Sequence, residues 1–233
     1  EIYNPFAGTG SISVGLNPAY KYLGVEQFRK TRALGQIRLL VHHFPNQKII
    51  VGNALNILPV IEDKKFDFVL FNPPFNLKLG KNQEYQIYSQ HRGNDNLYLN
   101  CNNATSYIIN HCFDSVKNDG KMIFVVPNSF LFSSAKTDIS LRKDLLHRGQ
   151  VETVIALPSR ILTHSAITIN LVVLTKSTQT NKICMIDARD SFIESSRHQN
   201  IIDVNSIKEI LVSQDSSKKR HIEYDEIIEN DYS

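Results

Sequence analysis

Asn72-Pro73-Pro74-Phe75 is the most chemically pointed segment of this sequence. An amine on a heteroaromatic ring, such as adenine N6, is a poor nucleophile because its lone pair is delocalised into the ring. Two acceptors set on its hydrogens favour a pyramidal nitrogen whose lone pair can attack a methyl group. Asn72 offers a side-chain oxygen and Pro73 a backbone carbonyl that proline leaves free. Phe75 offers a flat face to a base drawn out of its stack. No charged general base is needed, because the amine becomes more acidic as it attacks. An Asn-Pro-Pro turn can also be a plain strand terminator. Here it follows Phe66 to Phe71, an apolar run that reads as a buried central strand, and two prolines force the chain to turn at that strand's end.

A second constellation lies upstream. Asn4-Pro5-Phe6-Ala7-Gly8-Thr9-Gly10 joins a short strand to a helix, and its glycines let backbone approach a ligand with no Cβ in the way. Alone, such a loop is also an ordinary tight turn. Glu26 ends the next strand, where a carboxylate can accept both hydroxyls of an adenosyl ribose. Asn53 closes the third strand and can hydrogen-bond an adenine ring. There is neither a GxGxxG cradle nor a GxxxxGK[ST] loop, which disfavours a dinucleotide or a nucleoside triphosphate.

The elements that position these residues alternate. Strands are predicted at Ile2 to Asn4, Tyr20 to Val25, Lys48 to Val51, Phe66 to Phe71, Lys121 to Val126, Val151 to Leu157, Ile167 to Thr175 and Lys182 to Ile186. Helices are predicted at Asn53 to Ile61, Thr105 to Val116, Leu141 to Arg148 and Val204 to Leu211. A further helix, Arg29 to Phe44, carries Leu34, Ile37, Leu40, Val41 and Phe44 at helical spacing as its inward face. The alternation predicts an α/β fold: a doubly wound, mostly parallel, Rossmann-like sheet with an antiparallel edge hairpin. Ligands of such folds sit beyond the carboxyl ends of the strands, where all three motifs fall.

Composition narrows the class. The chain has 233 residues, 42% of them hydrophobic, which suits one globular domain rather than disorder. No segment reads as a membrane span or a signal peptide. Cys101, Cys112 and Cys184 have no metal-ligand spacing, so no metal is expected, and they read as reduced cytosolic thiols. A net charge of +3 permits nucleic-acid binding without signalling it. Lys218-Lys219-Arg220 reads as a solvated loop, with phosphate contact as its alternative, and residues 213–233 read as a charged tail. The abrupt start in a strand, with no initiator Met, reads as a fragment.

The chain resembles the amino-methyltransferases of DNA, in particular the modification subunits of type I restriction-modification systems. The loop Asn4 to Gly10 is similar to their cofactor motif, and Asn72 to Phe75 matches their catalytic motif in full. Gly120 to Asn128, Leu141 to Leu146, Val154 to Pro158, Ile167 to Leu174, Ile186 to Ala188 and Asn230 to Tyr232 resemble later segments of the family. The resemblance implies a catalytic domain over 1–233 that moves methyl from S-adenosyl-L-methionine to adenine N6 in DNA. It implies Asn4 to Gly10, Glu26, Asn53 and Asn72 as cofactor contacts and Asn72, Pro73, Pro74 and Phe75 as catalytic residues. It also implies DNA, a specificity subunit or fused target-recognition domain, and a second modification subunit as partners, in the cytoplasm. A helical region normally precedes the cofactor loop in that family. This sequence departs from the family at Asn4 and Asn53, where Asp is usual, and at Leu162, where Phe is more frequent.

The loop Asn76 to Asn103 mixes Lys78, Lys81 and Arg92 with Tyr85, Tyr88 and Tyr98, a composition suited to phosphates and an unstacked base. It reads equally as a surface loop. Arg160, Thr163 and His164 are candidates for the rim of a base pocket. Two other readings stand beside the first: a protein glutamine or RNA methyltransferase, and a DNA-holding subunit with weak catalysis.

Overall fold

The computed structural model describes residues 1–56, 61, 63–75, 77, 104–162, 165, 167–177, 181–195, 199–213 and 217–232. The chain forms two compact units, Glu1–Phe124 and Val125–Ser233.

The first unit holds β1 (Ile2–Asn4), α1 (Ser11–Val14), β2 (Tyr22–Glu26), α2 (Arg29–Val41), β3 (Gln47–Val51), β4 (Phe66–Phe71) and α3 (Thr105–Asp114), and then most of β5 (Val116–Pro127). Its strands lie in the order β5-β4-β1-β2-β3, and every pairing among them is parallel. Parallel neighbours place their carboxyl ends on one edge, so Asn4, Glu26, Val51 and Phe71 end side by side. Val25, Ile49, Val69 and Met122 are wholly buried, as strands covered on both faces should be.

The helix α2 corrects a sequence expectation. Leu34, Ile37, Leu40 and Val41 were expected inward, yet they are 60%, 56%, 67% and 67% exposed, while Gly35 and Leu39 are buried. Two interactions choose this face. A Cβ on Gly35 would stand 2.7 Å from Ile49 Cδ1 and 3.2 Å from the Gly8 carbonyl oxygen, so only glycine lets the helix come this close. Arg32 Nε then donates to the Ile49 carbonyl at 2.8 Å, and Gln36 Oε1 accepts the Ile49 N–H at 3.3 Å. These side chains, four residues apart, satisfy the outer backbone of edge strand β3. Apolar spacing alone carried no trace of that requirement.

Smaller departures follow. Asn53 to Asn56 form a turn rather than the start of a helix, and residues 57–60 lie outside the described set. Strand β5 begins at Val116, five residues earlier than expected, and runs through Asn118-Asp119-Gly120. A register shift against β4 absorbs those turn-prone residues, and a Cβ at Gly120 would meet the Asp67 carbonyl oxygen at 2.7 Å.

The second unit takes the end of β5 into α4 (Asn128–Leu131), α5 (Lys136–His147), β6 (Val151–Ala156), β7 (Ile169–Thr175) and β8 (Lys182–Asp187). It continues with β9 (Phe192–Glu194), β10 (Asn200–Ile202), α6 (Val204–Val212), β11 (Lys219–Glu223) and α7 (Tyr224–Glu229). Strand β6 pairs antiparallel with β7 and parallel with β8, so the expected antiparallel hairpin is present but not at the edge, because β8 and then β11 lie outside β6 in the strand order. The segment expected to trail as a charged tail instead carries β11, antiparallel to β8, and α7, whose Tyr224 is buried and donates its hydroxyl to the Val151 carbonyl at 2.7 Å. Few apolar residues suffice there because strand pairing uses the backbone.

One buried side chain ties this unit's termini. Arg142 of α5 donates to the Phe130, Ser133 and Tyr232 carbonyls at 2.9, 2.8 and 2.7 Å. Its planar fork holds three backbone oxygens at once, which an ammonium cannot match. Among the described residues no helix is long and apolar enough to cross a membrane.

Candidate active site

The glycine loop is built by folding back on its neighbours. At the end of β1, Asn4 is fully buried, and its Oδ1 accepts the Phe6 N–H at 3.0 Å, turning the chain at Pro5. The Ala7 N–H then reaches the Val25 carbonyl of β2 at 2.9 Å, and the Gly10 N–H returns to Ala7 at 2.9 Å. Gly8 and Gly10 have φ of +54° and +74°, the left-handed region that other residues rarely enter. A Cβ on Gly8 would meet nothing within 4 Å, so the backbone there faces open space. Arg38 of α2 steadies the far side, donating Nη1 to Ser11 Oγ at 2.8 Å beside Thr9 Oγ1 at 3.4 Å.

Two residues that sequence reasoning passed over make this loop possible. A Cβ on Gly24, mid-strand in β2, would come within 2.7 Å of Ala7 Cβ, and Gly35 presses against Gly8 and Thr9 in the same way. A glycine inside a strand pattern signals close backbone approach, so Gly24 was legible in principle. The buried Tyr22 hydroxyl is pushed up from its ordinary pKa by desolvation, and the Asn4 amide beside it opposes the shift. Asn4 Nδ2 and the Tyr22 hydroxyl are both buried and, among the described residues, complete no hydrogen bond of normal geometry.

Glu26, half-buried at the end of β2, accepts the Phe28 N–H through Oε1 at 2.7 Å, which orients the carboxylate and leaves Oε2 open among the described residues. Asn53 shapes the turn after β3: its Oδ1 accepts the Leu55 N–H at 3.0 Å and its carbonyl the Asn56 N–H at 3.1 Å. Helix α3 supports that turn from behind. His111 Nε2 donates to the Ala54 carbonyl at 2.8 Å, and the Tyr107 hydroxyl lies 3.4 Å from the Leu55 carbonyl. Neither residue carried a recognisable signal in the sequence.

The Asn-Pro-Pro-Phe segment leaves β4 directly after Phe71. Phe71 is 2% exposed, stacked on Phe124 at 5.4 Å between ring centroids and tilted against Phe6 at 5.9 Å. Beyond this anchor Asn72 is exposed, Pro73 buried, Pro74 exposed and Phe75 half-buried. Among the described residues the Asn72 side chain makes no hydrogen bond, so its oxygen is available to an incoming amine. The Ala104 N–H donates to the Leu77 carbonyl at 2.8 Å. Lys78, Lys81, Tyr85, Tyr88, Arg92 and Tyr98 lie outside the described residues, as do Thr163 and His164. Arg160, at φ +58°, is exposed in the second unit, where the Asn200 N–H donates to its carbonyl at 3.0 Å.

The first unit therefore sets the Asn4 to Gly10 loop, Glu26, the Asn53 turn and Asn72 to Phe75 along one sheet edge. Among the described residues no group of three or more His, Cys, Asp or Glu side chains is placed to hold a metal ion. Cys112 is wholly buried and Cys184 half-buried, and burial raises the pKa of both thiols.

Comparison with known proteins gives a consistent result. The family model described as N-6 DNA Methylase matches residues 1–233. The methylase subunit of the type I restriction enzyme MpnII of Mycoplasma pneumoniae is 22% identical over 256 residues, covering 100% of this chain and 47% of that protein. The StySJI methylase subunit of Salmonella typhimurium is 28% identical over 170 residues, covering 69% of this chain and 29% of that protein. Among solved structures, the type I restriction-modification methyltransferase subunit of Streptococcus thermophilus superposes with a TM-score of 0.84 at 26% identity, over 99% of this chain and 52% of that one. The chain thus spans about half the length, or less, of the relatives it matches.

Proposed function

This chain belongs to the N-6 DNA Methylase family, and on that premise we propose that it is the catalytic part of an S-adenosyl-L-methionine-dependent enzyme that methylates adenine N6 in DNA. The observation that carries the reading is Asn72, exposed and without a hydrogen bond among the described residues, on a turn fixed by buried Phe71 and Pro73.

The residues present fit the cofactor. The backbone at Gly8 opens onto free space, and among the described residues Asn4 Nδ2 is a buried donor that completes no hydrogen bond of normal geometry and Glu26 keeps one carboxylate oxygen open. Asn4 to Gly10 would hold the methionine end, Glu26 the ribose hydroxyls, and the Asn53 turn the adenine. Bound there, S-adenosylmethionine supplies an electrophilic methyl on sulfur.

The chain's own residues act on the base. Asn72 Oδ1 and the Pro73 carbonyl accept the two hydrogens of the amine and draw its lone pair out of the ring. Phe75 stacks on the base and repays part of the unstacking cost, base-on-aromatic contact contributing about 1–3 kcal/mol. Taking the methyl would make the amine cationic and acidic, so its proton could pass to water and no buried carboxylate is required.

The family match supports DNA over a protein glutamine as substrate, and the intact Asn72, Pro73, Phe75 and Glu26 support catalysis over a purely holding role. DNA, a specificity subunit or fused recognition domain, and a second modification subunit are the partners this reading assigns, in the cytoplasm. The test is nucleoside mass spectrometry of mixed-sequence DNA treated with the full-length protein and its recognition subunit. N6-methyladenine that vanishes with Asn72→Ala supports the reading; methyl label found only in protein overturns it.

A further inference from the structure

The second unit contains a cleft of about 790 Å³ to which the reaction above assigns no role. Its floor comes from Val154, Leu157 and Met185, and the exposed ring of Phe132, with 65% of its surface accessible, stands on its wall. Asn128 also lines it. Asn170 Nδ2 donates to Asn128 Oδ1 at 3.1 Å, which turns the Asn128 amide nitrogen away as a donor with no partner among the described residues.

The basic run Lys218-Lys219-Arg220 borders this cleft, and the strand divides it. Lys219 is spent elsewhere, its ammonium on the Leu211 and Ser213 carbonyls at 2.7 and 3.1 Å. Lys218 and Arg220, on the other side of the alternation, line the cleft. So does Arg189, held by Asp187 at 2.8 and 2.6 Å. Lys218 lies 3.4 Å from Asp190. The two acids thus offset two of the cations, while Arg220 is exposed and has no ion pair among the described residues. One uncompensated guanidinium, an adjacent ammonium, an outward amide and an exposed aromatic ring match one nucleotide: a singly charged phosphodiester and a flat base. The volume falls within the range of ligand sites.

We propose that this cleft seats a nucleotide of the DNA other than the target adenine, with its phosphate on Arg220 and Lys218 and its base against Phe132. The assignment rests on the reading that DNA is the substrate. Charge complementarity selects the strand: the cleft offers cation and ring together, whereas an acidic peptide would leave Phe132 unused.

The test measures duplex DNA affinity of the full-length protein, with its recognition subunit, at several salt concentrations. Each phosphate contact contributes about 0.9 to the slope of log affinity against log salt. Arg220→Gln is expected to lower that slope by about 0.9, and Phe132→Ala to weaken binding roughly 5- to 140-fold. Lys219→Gln should leave the slope unchanged, and cofactor affinity by calorimetry should be the same in all three variants. Thermal melting separates unfolded variants from folded ones, and Arg220→Lys, which keeps the charge, should restore the slope. Wild-type protein that binds and methylates DNA while Arg220→Gln keeps its slope overturns the seat alone. Wild-type protein that binds no DNA and forms no methyladenine overturns the DNA reading, and the seat with it. A loss seen with RNA but not with DNA also overturns the seat.

Discussion

The ring of Phe6, in the glycine loop, lies 5.9 Å from the ring of Phe71 and is tilted by 47°. Phe71 immediately precedes Asn72, so one aromatic contact joins the candidate cofactor loop to the candidate catalytic turn. The stack of Phe71 on Phe124 at 5.4 Å extends that contact into β5. Two motifs separated by more than sixty residues are thus set against each other by packing.

Truncating this contact should affect both motifs. Phe6→Ala is expected to cost about 1 kcal/mol of ring pairing beyond the area lost. Methylation assays should show a raised KM for S-adenosylmethionine together with a reduced kcat. A variant with lowered stability but unchanged kinetic constants would make the contact purely structural.

Asn72 is exposed and makes no hydrogen bond among the described residues, so its removal should barely alter folding. Asn72→Ala should keep its melting temperature while methyl transfer falls by roughly 10²–10³, the usual cost of one missing polar group aimed at a reacting centre. Cofactor titration of the same variant should still show binding.

Gly24 tests the loop's support. A Cβ there would meet Ala7 Cβ at 2.7 Å and a Tyr22 ring carbon at 3.0 Å. Overpacking of this kind costs about 1–3 kcal/mol. Denaturant unfolding of Gly24→Ala should show that loss, and calorimetry should show weakened cofactor binding because the loop is displaced.

Arg142→Ala leaves three backbone carbonyls without their donor. Hydrogen bonds to charged groups contribute about 1.5–3 kcal/mol each, so a loss of several kcal/mol is expected. Arg142→Lys should recover only part of it, since one ammonium cannot reach all three oxygens. Thermal unfolding of the three proteins gives the order.

The Asp187 carboxyl is held down to about 2 chiefly by its hydrogen bond to Arg189. Because this folded-state value lies below the ordinary Asp value of about 3.9, the pair's stabilisation is present above that value and is lost as pH falls through about 2. Both side chains are well exposed, Asp187 at 43% and Arg189 at 70%, so solvent screening keeps the effect small. The stability difference between wild type and Asp187→Asn should be flat from neutral pH to about 5 and shrink toward 2.

Residue type and order were enough to place the motifs. Proline cannot continue a central strand, glycine enters positive φ freely, and buried parallel strands read as apolar runs, so Asn72 to Phe75, Asn4 to Gly10 and the alternation of elements were legible locally. Tertiary structure decided what those local rules leave open. The face of α2 was chosen by Gly35 and by the unpaired backbone of β3, against the helix's own apolar spacing. Arg142's bond to the Tyr232 carbonyl and the support of the Asn53 turn by His111 join residues far apart in the chain. Local propensity acts over a few residues, whereas close approach and buried hydrogen bonding depend on what the rest of the chain brings alongside.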